Sequence, residues 1–286
     1  MTVYFVLFFQ SLIASGTHIV AKLVVTEIEP VTLTMLRSIM AMIGLIIIAV
    51  VRKTSFAFEK KDYKRLLFLS ILAIPINQFL FLSAMKLTTP ANAALLYATT
   101  PALVLLLSLI SGNERISWKK GSGVVIAFCG VLLLIFQHGI DLHSDYTIGN
   151  LLLVVAVIAW ALYTVGGRSL ILKYGAFPTS AATMIVGTIL FLPIGLVRTL
   201  QFDFTTIDLR HWGGLFYLSI GTSIFAYFLW YYALGRVQAS KVAIFTNLQP
   251  ILTTVLAVVL LGQALTVPFI IGGVIALSGV VLTQFG

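Results

Sequence analysis

The sequence is poor in charge, since only 9% of its 286 residues are Asp, Glu, Lys or Arg, whereas 60% are hydrophobic. Its mean hydropathy of +1.08 is far above that of a water-soluble domain. This composition excludes a soluble globular protein and predicts that most of the chain lies in a lipid bilayer. Backbone polar groups in lipid must be paired within the chain, so long apolar segments predict helices. Barrel strands would instead alternate apolar and polar residues.

Cysteine and catalytic motifs are also scarce. The single Cys129 cannot form an internal disulfide. There is no Gly-rich phosphate loop with a Lys, no CxxC pair and no HExxH motif. The sequence therefore predicts no ATP hydrolysis, no enzymatic activity and no bound cofactor. His138, Asp141, His143 and Asp145 could together hold a metal, but a solvated loop is the simpler interpretation, and no metal site is predicted.

Apolar segments that approach the roughly 20 residues needed to cross a bilayer follow one another along the whole chain. Ten can be counted, at about 3–24, 30–51, 66–85, 90–111, 120–137, 148–167, 178–198, 212–234, 240–261 and 266–285. The first lacks a basic leader and a small-residue cleavage site, so we expect a retained helix rather than a signal peptide. The predicted fold class is an all-α membrane protein with ten transmembrane helices.

The Lys and Arg residues divide unequally between the two sides of these segments. One side collects thirteen of the 18, and the other holds Lys22, Lys86, Arg198 and Arg210, while Arg37 lies within a span. Because short loops rich in Lys and Arg stay in the cytoplasm, both termini are predicted to be cytoplasmic. The net charge of +9 thus reflects topology, and no basic soluble module indicates nucleic-acid binding.

The chain contains an internal repeat. Residues 79–133 match residues 228–282 without a gap, at an offset of 149. The identical pairs include Pro101 with Pro250, Gly123 with Gly272 and Gly130 with Gly279. Five spans per copy is an odd number, so the second copy must enter the membrane from the opposite side. We therefore expect two inverted five-helix repeats, at 1–139 and 147–286, an arrangement typical of secondary transporters with a site near mid-membrane.

Short motifs along the chain resemble those of one family. They are Ser15-Gly16 with Lys22, Pro30 with Arg37, Asn77-Gln78-Phe79 through Ala84, Ala91-Asn92-Ala93-Ala94 with Pro101, the stretch 112–117 with Gly130-Val131, Ala159-Trp160-Ala161-Leu162-Tyr163, and Pro250. On these motifs the chain resembles the EamA-type permeases of the drug/metabolite transporter superfamily. It departs from them at Gln263, where an acid is usual, and at Ser15, where Trp is frequent. These departures concern the subfamily and the substrate, not the fold.

The resemblance implies a ten-helix basket of two inverted repeats in the plasma (inner) membrane of a bacterium. Its central cavity would be lined mainly by helices 1, 3, 4, 6, 8 and 9. We expect a secondary transporter that exports small organic solutes, such as amino acids or other metabolites, by alternating access. A passive channel or facilitator and a multidrug efflux permease remain alternatives, and a homodimer is left open.

Candidate solute-binding residues are the polar and aromatic side chains inside the spans, because such groups are costly in lipid and face a cavity or a neighbouring helix. They are His18, Asn77, Asn92, Tyr97, Trp160, Tyr163, Tyr227, Tyr231 and Asn247, which we expect to converge on one mid-membrane void. For the polar residues, interhelical hydrogen bonding of about 0.6 kcal/mol is the alternative. For Trp160, Tyr163, Tyr227 and Tyr231 the alternative is an aromatic belt at the membrane interface. His18 could carry a proton or simply bond a neighbouring helix.

Lys22 and Arg37 are the charged candidates. Arg37 could clamp a carboxylate or phosphate, but we favour a structural bond to helix-end carbonyls, to Glu27 or to Glu29. Lys22 lies near the outer end of the first span. Its long side chain could extend to the membrane–water interface instead of facing a cavity.

Two further sets of residues concern shape. Pro101 and Pro250 each remove a backbone hydrogen bond inside a span, so they predict kinks and are candidate hinges. The pairs Gly123 with Ala127 and Gly272 with Ala276 predict close helix packing or a dimer surface.

Overall fold

The computed structural model describes residues 2–110, 117–136 and 144–285, and every regular element in these ranges is helical. The α-helices are α1 (Thr2–Val24), α2 (Pro30–Val51), α3 (Tyr63–Ile71), α4 (Phe79–Leu87), α5 (Pro90–Tyr97), α6 (Thr100–Ile110), α7 (Trp118–Ile135), α8 (Asp145–Tyr174), α9 (Ala176–Leu200), α10 (Leu209–Phe216), α11 (Tyr227–Leu234), α12 (Ala239–Ala243), α13 (Leu248–Leu261) and α14 (Val267–Phe285). His138, Asp141 and His143 of the loop cluster lie outside the described residues, as does most of the stretch 112–117.

Several of these helices join end to end into longer runs. Among the described residues, eight runs are long and apolar enough to cross a membrane: Val3–Val24, Pro30–Val51, Lys60–Leu87, Pro90–Leu107, Asp145–Tyr174, Ala176–Leu200, Leu209–Leu234 and Ala239–Leu261. Two shorter apolar helices, Gly121–Ile135 and Val267–Leu282, follow the fourth and the eighth. The prediction of an all-α protein built for the membrane is therefore confirmed.

Two of the runs contain a wider helical turn at their centre. The segments Leu72–Gln78 and Tyr217–Ala226 are π-helical, and each leads directly into an α-helix, α4 or α11. At the repeat offset of 149, residues 72–78 correspond to 221–227, so the irregularity recurs at matching places. Such bulges are frequent at functional sites. They were not predicted from the sequence.

The two prolines also occupy matching places. Pro101 lies in the first turn of α6, after a two-residue break from α5, and Pro250 lies in the first turn of α13, after the 3₁₀ segment Ile244–Asn247. Proline cannot bond the carbonyl four residues earlier, which in the first copy belongs to Tyr97. That carbonyl instead accepts from the Thr100 hydroxyl at 2.5 Å. Both spans are thus interrupted where kinks were expected.

The small-residue faces of α7 and α14 pack against each other. A Cβ atom added to Gly130 would collide with the backbone nitrogen of Ala276, and one added to Gly279 would collide with that of Ala127. The helices therefore approach at backbone contact, as the Gly and Ala spacing predicts. This face is buried within one chain and is not free to form a dimer.

One end of the bundle carries a small ion-pair network. Nζ of Lys173, at the end of α8, lies 2.6 Å from Oε1 of Glu59 and 2.7 Å from Oδ2 of Asp62. The Tyr174 hydroxyl also donates to Oδ2 of Asp62 at 2.6 Å. These contacts fix the segment before α3 to the end of α8. The hydrogen bonds from Lys173 and then Lys61 hold the pKa of Glu59 below its ordinary value.

Candidate functional site

A partly open cavity lies where both copies of the repeat meet, and it encloses about 550 Å³ of space not occupied by atoms, including its open part. Its lining comes from α1, α2, α4, α5, α8, α11, α13 and the two π-helical segments. The lining residues are Gln10, Ala14, Thr17, His18, Arg37, Asn77, Gln78, Phe81, Tyr97, Trp160, Thr222, Ala226, Tyr227 and Gln249. The set is polar and aromatic and contains no Asp or Glu, which suits binding of an organic solute.

Positions related by the repeat offset of 149 occur together in this lining. Asn77 and Gln78, at the end of the first π-helical segment, correspond at the repeat offset to Ala226, the last residue of the second segment, and to Tyr227, the first residue of α11. All four line the cavity. Two pairs of positions related by the offset of 149 thus line one common space.

Asn77 joins the two copies by hydrogen bonds. Its Nδ2 donates to the Tyr97 hydroxyl and to the carbonyl of Ala156, both at 2.8 Å, and its Oδ1 accepts from the Tyr227 hydroxyl at 3.2 Å. Its side chain is buried, so these bonds replace water that the amide would otherwise require. One amide thus fixes the orientation of two tyrosines that line the cavity.

Arg37 reaches the cavity from α2, which was not among the helices expected to line it. It is 2% exposed, and its Nε donates to Oγ of Ser223 at 2.8 Å. The expected bond to Glu27 or Glu29 is not formed; the Glu29 carboxylate instead accepts from the Thr32 hydroxyl. Our favoured interpretation of Arg37 as bound to a helix end or to these acids was therefore wrong.

His18 and Gln249 form a second contact between the copies. Nε2 of His18 lies 3.3 Å from Oε1 of Gln249, and because that oxygen only accepts, the ring nitrogen donates. The ring also makes edge contacts with Phe81 and Tyr97 at centroid distances of 5.4 and 5.6 Å. Nδ1 of His18 has no hydrogen-bond partner within the part of the chain that the structure describes.

Aromatic rings form one wall of the cavity. Trp160 meets Tyr227 edge-on at 5.1 Å and stacks on Tyr163 at 5.7 Å. Tyr163 in turn stacks on Tyr231 at 4.8 Å and pairs its hydroxyl with that of Thr183 at 2.9 Å. Trp160 and Tyr227 line the cavity, and Tyr163 and Tyr231 pack behind them.

Five of the residues predicted from the sequence lie away from the lining. They are Lys22, Asn92, Tyr163, Tyr231 and Asn247. Nζ of Lys22 donates to the carbonyls of Met85 and Thr88, both at 2.8 Å, where α4 ends. The amide of Asn92 contacts that of Asn150 on α8. The Asn92 contact is a helix-to-helix bond, the alternative considered from the sequence for that residue. For Lys22 the alternative considered was a side chain that extends to the membrane interface, and its bonds to the carbonyls at the end of α4 were not predicted.

Six predicted residues do converge on the cavity, namely His18, Arg37, Asn77, Tyr97, Trp160 and Tyr227. Sequence reasoning missed Gln10, Thr17, Gln78, Thr222 and Gln249 as lining residues. Each is a polar residue inside an apolar segment, so the signal was present. It did not indicate which face of the helix would meet the other copy.

The chemistry that this cavity offers is recognition. The lining holds amides, hydroxyls, one imidazole, one guanidinium and aromatic rings, with no carboxylate that could act as a general acid or base. Within the described ranges no group of three or more His, Cys, Asp or Glu residues could hold a metal.

Comparison with known proteins identifies the family. The model of the EamA-like transporter family matches residues 1–136 and 147–285. A protein of Archaeoglobus fulgidus named "Uncharacterized transporter" is 34% identical over 95% of this chain and 93% of its own length. Transporter YyaM of Bacillus subtilis, also uncharacterized, is 28% identical over 100% of this chain and 94% of its own length.

Two further comparisons add function and fold. A Streptantibioticus cattleyicolor protein named "Probable terminal-alkyne amino-acid exporter" is 25% identical over 67% of this chain and 63% of its own length. A known crystal structure matches with a TM-score of 0.70 over 98% of this chain and 95% of that one, and its 20% identity shows the fold alone. The chain therefore belongs to the EamA-like transporter family of the drug/metabolite transporter superfamily, and it is an integral, multi-pass membrane transporter of small solutes rather than an enzyme.

Proposed function

We propose that the protein is a secondary transporter that exports small organic solutes, such as amino acids or other metabolites, by alternating access through the central cavity. The observation that carries this proposal is the cavity itself, which is polar and aromatic and is built from equivalent positions of two copies of one repeat. A relative named as an amino-acid exporter supports the substrate class.

The proposed architecture is ten transmembrane helices in two inverted five-helix repeats, 1–139 and 147–286. Eight long runs and two shorter apolar helices support the count. The recurrence of the π-helical segments and the proline breaks at the repeat offset supports the duplication. The charge asymmetry between loops supports cytoplasmic termini in a bacterial inner membrane.

Within this architecture each group of residues has a proposed role. His18, Asn77, Tyr97, Trp160 and Tyr227 contact the solute, with Arg37 as the charged member of the site. Pro101 and Pro250 are hinges, because each follows a break in its span and a missing backbone bond makes bending easier there.

Flux through proteoliposomes tests this function. Purified protein is reconstituted into liposomes, which are loaded with unlabelled amino acids from a panel. Entry of the same amino acid in labelled form is followed with and without a pH gradient. Because a carrier exchanges solute across the membrane and a channel does not, we expect the internal solute to accelerate entry. Flux without such acceleration favours a passive channel or facilitator, and flux of bulky cationic drugs alone favours a multidrug efflux permease. No flux above that of protein-free liposomes contradicts the proposal.

A further inference from the structure

Arg37 carries a permanent positive charge that the protein leaves largely uncompensated. Among the described residues, hydrogen bonding engages only its Nε, through Ser223. No acceptor in this part of the chain takes a hydrogen bond from Nη1 or Nη2, and Arg37 lines the cavity. The two terminal amino groups of the fork are therefore open to the central space.

The surroundings supply no counter-ion. The cavity lining contains no Asp or Glu, and Arg37 is its single Lys or Arg. No ion pair in the described ranges includes Arg37. A buried charge without a partner is costly, so a ligand that brought one negative charge would be bound favourably.

Ser223 holds the guanidinium in a fixed orientation. Its hydroxyl donates its one hydrogen to the carbonyl of Leu218 at 3.1 Å, so its oxygen is left to accept from Nε of Arg37. Ser223 and Leu218 both belong to the second π-helical segment. The π-helical segment thus fixes the Nε edge of the planar guanidinium and leaves Nη1 and Nη2 for the solute.

We propose that Arg37 is the recognition point for a carboxylate group on the transported solute, with Ser223 as its positioning residue; this inference rests on the proposed transport function. A single guanidinium matches a monoanion, and its two amino groups match the two oxygens of a carboxylate. A phosphate monoester, with close to two negative charges, would leave one charge unpaired in the same space. Trp160 and Tyr227 offer contact area for the apolar part of the solute.

Binding to purified protein tests the inference separately from transport. The probes are 3-phenylpropionate and L-leucine, their carboxamides, and phenyl phosphate, with affinity measured by ligand-dependent thermal unfolding. We expect at least one of the two carboxylates to bind about tenfold or more tightly than its carboxamide, because the charge-assisted hydrogen bonds are lost in the amide. Failure of both carboxylates to bind, equal binding of the carboxamides, or tighter binding of phenyl phosphate would each overturn the assignment.

Three variants locate the effect. Arg37→Gln removes the charge and should abolish the preference for the carboxylate, while Arg37→Lys keeps the charge without the fork and should weaken binding by about tenfold. Ser223→Ala keeps Arg37 and should weaken carboxylate binding several-fold without changing carboxamide binding, which a purely structural serine would not do. Ser223→Ala also provides the test if Arg37→Gln does not fold.

Arg65→Gln is the control, since Arg65 is exposed and bonds the Gly166 carbonyl outside the cavity. Carboxylate preference that survives in folded Arg37→Gln would refute the role of Arg37, and carboxylate binding unchanged in Ser223→Ala would refute that of Ser223.

The two proposals fail in different ways. If carboxylates bind through Arg37 but no solute crosses proteoliposomes, the transport function fails and the recognition site stands. If solutes cross but Arg37→Gln retains the carboxylate preference, transport stands and the recognition site fails.

Discussion

Replacing Asn77 by Ala tests whether the cavity network serves transport. The change removes hydrogen bonds to Tyr97, Ala156 and Tyr227, at 2.8, 2.8 and 3.2 Å. At about 0.6 kcal/mol for each interhelical bond in a membrane, we expect the free energy of unfolding to fall by about 2 kcal/mol. Both tyrosines are then free to turn, so we expect solute flux per folded molecule to fall by about tenfold, which corresponds to ~1.4 kcal/mol.

Asn150→Ala provides the matched control. Asn150 is equally buried and bonds Thr88, Asn92 and the carbonyl of Leu134, but it does not line the cavity. We expect a similar loss of stability with flux per folded molecule within about twofold of the wild type. Flux is measured in proteoliposomes and stability by unfolding of the same preparations. Equal loss of flux in the two variants would show that the network acts only through stability and would refute the reasoning.

Three other changes probe the fold. Gly130→Leu pushes a side chain into the backbone of α14, so the free energy of unfolding should fall by about 1–3 kcal/mol or more; unchanged stability in an unfolding assay would contradict the close α7–α14 contact. Lys173→Met removes the larger of the two contacts that lower the pKa of Glu59, the other being that of Lys61. Its destabilisation, followed by thermal unfolding, should be present at pH 7 and shrink as the pH falls below the carboxyl's ordinary value of 4.5. A pH-independent difference would contradict the ion-pair account. Cysteines placed at Ser55 and Ser144 should react with an impermeant reagent from opposite sides of the membrane, and labelling of both from outside would contradict the inverted topology.

The helical content and the polar candidates could be predicted from the sequence because each rests on a local property. Length and apolar composition define the spans, and the cost of a polar group in lipid draws attention to residues such as Asn77 and Trp160. Gly and Ala at helical spacing likewise predict that α7 and α14 can approach closely.

The partners of these residues could not be predicted because they lie far away in the chain. Arg37 bonds Ser223 across 186 positions, and His18 meets Gln249 across 231. The π-helical segments have no local sequence signature, yet they determine which side chains of α4 and α11 face the centre. Asn92 and Asn247 are as polar as Asn77, and only the packing of the helices decides which of the three reaches the cavity.

The central claim is that solute passes through this cavity, and a side chain placed in its path tests the claim most directly. Ala14 lines the cavity and is only partly buried, so a larger side chain at this position is directed into the cavity space. The measurement is proteoliposome flux of Ala14→Phe beside the wild type, with thermal unfolding as the check on folding. The account predicts flux at the level of protein-free liposomes in a protein that remains folded. Flux equal to the wild type in folded Ala14→Phe would contradict it.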